Sequence, residues 1–288
     1  MKRLRYEIVD VFTDHPYAGN PLAVVLDAEG LDGAQMQSIT REFNLSETAF
    51  VLPPSPGADY RIRIFTPGEE LPFAGHPSVG TAVTLARLGV IGPGGRVQEC
   101  GAGMLPVSVS DSRAALTGGS AAVGAELDPA PLLAAVGLTS SDFAGPAPRV
   151  AGCGINFYYL SVRSDALART LPDAAALRVL GQQGLSVFAW DPTDRIAHTR
   201  VFCDAVGVSE DPATGSAALG FGVWLVAAGL ATQDGTTGYT VRQGVEIRRS
   251  STLECEVAAS GGRVTRTEVA GGVVPVASGE IRVPPFVG

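Results

Sequence analysis

The chain has 288 residues, 45% hydrophobic and 17% charged, with a formal net charge of −8, enough for one large domain or two medium ones. No basic run exceeds two residues, which argues against nucleic-acid binding, since that needs clustered Lys and Arg. A small anion is not excluded, because backbone dipoles bind one whatever the net charge.

The N-terminus "MKRLRYEIVDVF" alternates like a strand and lacks the apolar core of a secretory signal. The longest apolar run, Ala217 to Leu230, falls short of the ~20 residues that cross a bilayer. Cys100, Cys153, Cys203 and Cys255 are widely spaced, with no CxxC pair. This pattern predicts a reduced, cytoplasmic protein without a structural zinc site, and no membrane or nucleic-acid partner.

In chain order, "YEIVDVF" and "PLAVVLD" predict strands. Asp32 is placed to cap a helix through "GAQMQSITREFN", where Met36, Ile39 and Phe43 recur at helical spacing. "ETAFVLPP" and "DYRIRIF" are strand-like. A helix then runs from about Ser78 to Leu88 and stops at Gly89. "RVQECGAGMLPVSVS" predicts a hairpin around Gly101 and Gly103. The segment 117–131, "TGGSAAVGAELDPAP", is loose and marks the border between two lobes. Beyond it, the strands "GINFYYLSV", "LSVFAW" and "HTRVF" alternate with the helices "DALARTL" and "DAAALRVLGQQ" and a second apolar helix. From Tyr239 the tail is almost all β, in the pieces "YTVRQGVEIRR", "STLECEVA", "RVTRTEVA" and "GEIRVP".

Two helix entrances resemble each other: "LPFAGHPSVGTA" (71–82) and "SEDPATGSAALG" (209–220). With Gly75 laid on Gly215, Gly80 falls on Gly220 and Gly89 on Gly229. Each helix follows an alternating strand, "YRIRIF" or "HTRVF", with a three-residue insertion in the second copy. Three glycines in register are weak alone; the strand and the equal helix length favour an internal duplication over chance. Both helices are apolar nearly all round, which predicts burial. The expected fold is α+β: two pseudo-symmetric lobes, each a curved mixed or antiparallel sheet wrapped around a central buried helix. The lobes would be 1–116 plus 273–288, with the C-terminal strand completing the first, and 117–272. The active site would lie in the cleft between them. Two helix N-termini pointing into one cleft would hold a carboxylate or enolate from both sides, and Gly75 and Gly215 would let it approach the backbone.

From residue type alone, His76 fits a capping or packing role as well as a functional one. Asp211 fits a helix cap, the commonest role for Asp there, and Ser216 fits one too. The duplication adds a second reading, in which the same position holds His in one lobe and an acid in the other to grip a polar substrate. Glu47, in "NLSETAFV", begins a strand, where Glu is usually solvated; facing a cleft, burial would raise its pKa toward acid/base range. "GPGG" (92–95) is a turn, "GAGMLPVSVS" lacks a dinucleotide fingerprint, and Ser120 has no nucleophile-elbow context. His15 and His198 are too few and too far apart for a metal cluster, and Trp190 and Trp224 are expected in the core.

The stretches "DVFTDHPYAGNPLAVVLDAEGL", "QMQSITREFNLSETAFV", "RIRIFTPGEELPFAGHPSVGTA", "EDPATGSAA" and "QGVEI" resemble the phenazine-biosynthesis PhzF-like isomerase family. The resemblance runs from Val9 to about Val283 and is densest over 9–89 and 199–222. It implies the diaminopimelate-epimerase-like fold, a homodimer and a cofactor-independent isomerase with no metal. The family's namesake converts trans-2,3-dihydro-3-hydroxyanthranilate to its ketone tautomer, a glutamate moving a proton between ring carbons. By resemblance that catalytic role falls on Glu47, and substrate binding falls on Ser46, Gly75, His76, Asp211, Gly215 and Ser216. Related epimerases use two opposed cysteines at the helix entrances; "FAGHP" and "PATGS" contain none, which disfavours a two-thiol racemase. The expected function is therefore an isomerase of a small cyclic carboxylate, in secondary metabolism. The alternatives are an amino-acid epimerase or hydrolase on a related acid, or a non-catalytic metabolite-binding dimer.

Overall fold

The computed structural model describes residues 2–181, 184–204 and 208–285. Two compact units divide the chain: Met1–Leu116 with Ala270–Gly288, and Thr117–Val269.

The first unit is built from β1 (Arg3–Val11), β2 (Asn20–Val25), α1 (Gly33–Phe43), β3 (Glu47–Leu52), β4 (Tyr60–Phe65), β5 (Glu70–Leu71), α2 (Gly75–Arg87), β6 (Gly94–Cys100), β7 (Gly103–Val109) and β8 (Arg113–Thr117). β1 pairs antiparallel with β2, β2 parallel with β3, β3 antiparallel with β4, β4 parallel with β6, and β6 antiparallel with β7. β5 lies antiparallel on β4. Asp32 caps α1 through a capping box with Gln35, as its sequence predicts. Met36 and Ile39 of α1 pack on Val25, Phe50 and Phe65, which is the face their spacing selects.

The second unit holds β9 (Ala121–Glu126), α3 (Pro129–Ala135), β10 (Arg149–Cys153), β11 (Ile155–Ser161), α4 (Ser164–Leu167), α5 (Ala174–Val179), β12 (Gly184–Asp191), β13 (Ile196–Cys203), β14 (Val208–Asp211), α6 (Gly215–Ala227), β15 (Gly235–Gln243) and β16 (Ser251–Ser260). The pairings from β10 to β11, β12, β13, β15 and β16 run antiparallel, parallel, antiparallel, parallel, antiparallel. The succession from β1 to β7 is the same, and β14 sits on β13 as β5 sits on β4. β17 (Arg263–Arg282) leaves this unit and pairs antiparallel with β1 in the first, from Val11↔Val273 to Arg3↔Arg282.

The two apolar helices end alike. The C-cap N–H groups of Leu88 and Ala228 reach Thr84 and Trp224, and those of Val90 and Leu230 reach Leu85 and Leu225. Gly89 and Gly229 both have φ +71°, a left-handed exit that glycine adopts without strain. α2 is buried from Gly75 to Leu85 and packs on β1, β2, β3 and β7; α6 is buried from Gly215 to Val226 and packs on β10, β11 and β16. Small residues make the approach possible. A Cβ on Gly220 would stand 2.4 Å from the Tyr159 hydroxyl and 2.9 Å from Gly152 Cα.

Several expectations need correction. α2 begins at Gly75, not Ser78, because the first turn of a helix tolerates Pro77. The loose segment 117–131 contains β9 and the start of α3. The helix in "DALARTL" is only the turn α4, and "DAAALRVLGQQ" forms α5 and stops at Val179; Gln182 and Gln183 lie outside the described residues. β10 and β14 join the predicted strands. "YTVRQGVEIRR" breaks at Gly244, while the last two predicted strands are one, β17. Cys100, Cys153 and Cys255 are buried and Cys203 is half-buried; none of the four forms a disulfide. Trp224 is fully buried, packed on Phe188 and Phe221. Among the described residues no helix is long and apolar enough to cross a membrane.

Candidate functional site

In the first unit, three elements bring polar groups to the start of α2. β2 opens on Asn20, whose side chain is fully buried. β3 opens on Glu47, in parallel register with Leu22 of β2, and Ser46 stands just before it. His76 is the second residue of α2. Ser46 Oγ donates to Asn20 Oδ1 at 3.0 Å, and Asn20 Nδ2 lies 3.3 Å from His76 Nδ1. The other ring nitrogen, His76 Nε2, faces Glu47 Oε2 at 3.5 Å, and the two side chains are only 4% and 15% exposed. Burial pushes His76 down to about 3, so its imidazole is neutral at physiological pH. Glu47 is thus not a solvated strand-start residue, and His76 is not a cap, because the N-cap position belongs to Ala74.

In the second unit, β14 ends on Asp211, which is 9% exposed. The turn that follows delivers Thr214 as N-cap and Gly215 and Ser216 as the first two residues of α6. Neither Asp211 nor Ser216 caps the helix. Thr214 Oγ1 instead donates a short hydrogen bond to Asp211 Oδ2. Gln243, at the end of β15, locks this turn. Its Nε2 donates to the Asp211 carbonyl at 2.7 Å and to Thr214 Oγ1 at 3.0 Å, and its Oε1 accepts from Thr214 N at 3.2 Å. Glu210, beside Asp211, is fixed by a bidentate, buried ion pair with Arg200 of β13, which also donates to the carbonyls of Leu167 and Thr170.

The structure therefore gathers Ser46, Glu47, Gly75 and His76 at one helix start and Asp211, Gly215 and Ser216 at the other. What unites the two starts is an omission. The helices α1, α3 and α5 are capped by Asp32, Asp128 and Asp173. α2 and α6, like the single turn α4, have no side-chain cap, so the first N–H groups of these two long helices keep their hydrogen-bonding capacity and partial positive charge for an anion. Asn20, Gln98, Thr214 and Gln243 are the polar residues missed from sequence. Gln98, fully buried on β6, donates to Ser78 in α2, much as Gln243 serves α6. A signal did exist for Gln243. The alternation that buries Tyr239 and Val241 also puts Gln243 on the core face. Among the described residues no group of three or more His, Cys, Asp or Glu side chains gathers as a metal-binding set.

Residues 9–279 match the profile of the phenazine biosynthesis-like protein family. A trans-2,3-dihydro-3-hydroxyanthranilate isomerase of Pseudomonas fluorescens is 36% identical over 289 residues, covering 96% of this chain and 98% of that enzyme. The crystal structure of a phenazine biosynthesis protein of the PhzF family from Bacillus anthracis has a TM-score of 0.89 at 27% identity, covering 98% of this chain and 100% of that one. A probable proline racemase from Agrobacterium radiobacter shares the fold alone, with a TM-score of 0.67 at 14% identity over 99% of this chain and 94% of that one. With a mixed, sheet-dominated fold and these relatives along nearly its full length, the chain belongs to the phenazine biosynthesis-like, PhzF-type family and is an isomerase.

Proposed function

We propose that the protein moves a proton and a double bond within a small cyclic carboxylate of the trans-2,3-dihydro-3-hydroxyanthranilate type, in secondary metabolism, without a cofactor. Glu47 is the acid/base. Its carboxyl group takes the proton from one ring carbon, the electron pair left behind shifts the double bond, and the same group returns a proton to another ring carbon. Nothing is gained or lost, and the product is a tautomer of the substrate. The uncapped helix starts bind negative charge, the N–H groups of Gly75 and His76 in α2 and of Gly215 and Ser216 in α6 being suited to a carboxylate and to the charge that develops in the transition state. Ser46, His76 and Asp211 orient the polar substituents, each sheet wraps its own central helix, and the working form is a homodimer.

The observation that carries this reading is the buried pair of Glu47 and His76, 3.5 Å apart, at a helix start that no side chain caps. An acid/base group needs shelter from water and a neighbour that fixes its orientation. The test is incubation with trans-2,3-dihydro-3-hydroxyanthranilate while following its ultraviolet absorption. Loss of that absorption at an enzyme-dependent rate supports the proposal. Tight binding without turnover across a panel of cyclic carboxylates would overturn it.

A further inference from the structure

We propose that Asn20 is a positioning residue that holds His76 as the neutral tautomer with its proton on Nε2, aimed at the Glu47 carboxyl group. The inference rests on the assignment of Glu47 as the acid/base.

A primary amide carries one acceptor and one donor end, and a neutral imidazole carries one of each as well. Asn20 lies between two partners, the Ser46 hydroxyl at 3.0 Å from its Oδ1 and His76 Nδ1 at 3.3 Å from its Nδ2. Two self-consistent arrangements exist. In the first, Ser46 donates to Oδ1, Nδ2 donates to an unprotonated Nδ1, and Nε2 bears the hydrogen. In the second, the amide is turned over, Nδ1–H donates to it, and Nε2 presents a lone pair. What lies beyond Nε2 decides between them. That atom faces Glu47 Oε2 at 3.5 Å. The first arrangement sets N–H against a carboxyl oxygen; the second sets two lone pairs against each other unless Glu47 is itself protonated. A base that must accept a proton is served by the first. Asn20 is fully buried and His76 nearly so, so water cannot take over the amide's role, and an imidazole held neutral by burial keeps whichever tautomer its Nδ1 partner dictates.

The chain has three histidines, and His15 and His198 are exposed, so nitrogen-15 spectra of histidine-labelled protein resolve His76, assigned by its absence in a His76→Gln variant. At neutral pH the wild type should show Nδ1 as an unprotonated, pyridine-like nitrogen and Nε2 as a protonated one. Asn20→Asp keeps the size and the acceptor for Ser46 but removes the donor. It should turn His76 to the Nδ1–H tautomer or to imidazolium, and lower kcat about 10- to 100-fold, the range for removing the outer partner of a working histidine, with KM moving less. A wild-type spectrum with Nδ1 protonated overturns the proposal, and that measurement stands even if the variant fails to fold. An Asn20→Asp protein with the wild-type tautomer overturns it equally. Failure of the acid/base assignment shows elsewhere, as full turnover by Glu47→Gln, and leaves the wild-type tautomer unchanged.

Discussion

Burial of His76 makes a quantitative prediction about acid. The folded chain holds this imidazole down at about 3, against 6.5 for an exposed one. Between those values the unfolded chain binds a proton that the folded chain refuses. Stability therefore falls as pH drops below about 6.5 and is fully present only above it. The slope below that point is about 1.4 kcal/mol per pH unit, giving a loss of about 2 kcal/mol between about pH 7 and about pH 5 and about 5 kcal/mol over the whole gap. A negative charge on Glu47, 3.5 Å away, favours the imidazolium and makes these figures upper bounds. The assay is denaturant unfolding of wild type and His76→Gln at both pH values. His76→Gln is less stable at neutral pH but lacks this titration, so its loss on acidification should be smaller by up to ~2 kcal/mol, or about 4–8 °C in Tm for domains of this size. Profiles that run parallel would refute the reasoning, because they would mean that His76 protonates as easily in the folded chain as in the unfolded one.

Gly220→Ala should destabilise the protein by about 2 kcal/mol, the cost of overpacking less the helix-propensity gain, since the new methyl displaces the Tyr159 hydroxyl from its hydrogen bond to Ala217 O. Gly80→Ala meets side-chain methyls of Leu22, Val11 and Val9 and no backbone atom among its nearest neighbours, and should cost less; equal thermal shifts would contradict this. Arg200→Met leaves Glu210 buried without its partner and should cost about 3–5 kcal/mol, much of it restored in the Arg200→Met/Glu210→Leu double variant; denaturant midpoints decide. Gln243→Met unties Asp211 and Thr214 at the start of α6. Steady-state kinetics should show KM rising more than kcat falls, and an unchanged KM would separate Gln243 from substrate binding.

Where the apolar pattern is regular, an element is readable from the chain: α1 by the spacing of Met36 and Ile39, and β1 and β4 by alternation, while α2 and α6 are readable by their shared glycines. Failures cluster where close approach replaces side-chain pattern. β9 is Ala- and Gly-rich and wholly exposed, so it carries no alternation. Gly271 and Gly272 suggest a break in β17, yet a Cβ there would stand 2.3 Å from the Phe12 ring and 2.6 Å from Thr13 O. The strand continues, and the glycines make room for the chain leaving β1, whose Phe12 N–H bonds to Gly272 O at 2.7 Å. Of the site, His76 and Asp211 stand out in the sequence because they sit in Gly-rich helix starts, whereas Glu47 is singled out by the family resemblance of "NLSETAF". Asn20 and Thr214 do not stand out, because an amide or hydroxyl beside an apolar run has many uses, and only the fold shows that Asn20 joins Ser46 to His76.

The acid/base role of Glu47 is tested most directly by Glu47→Gln. The variant keeps the shape and the oxygen facing His76 but can neither accept nor return a proton. With trans-2,3-dihydro-3-hydroxyanthranilate, wild type should turn over, while folded Glu47→Gln should bind with near wild-type affinity and lose at least ~100-fold in kcat, the scale of a positioned acid/base group. A folded Glu47→Gln protein that turns over at the wild-type rate would contradict the account.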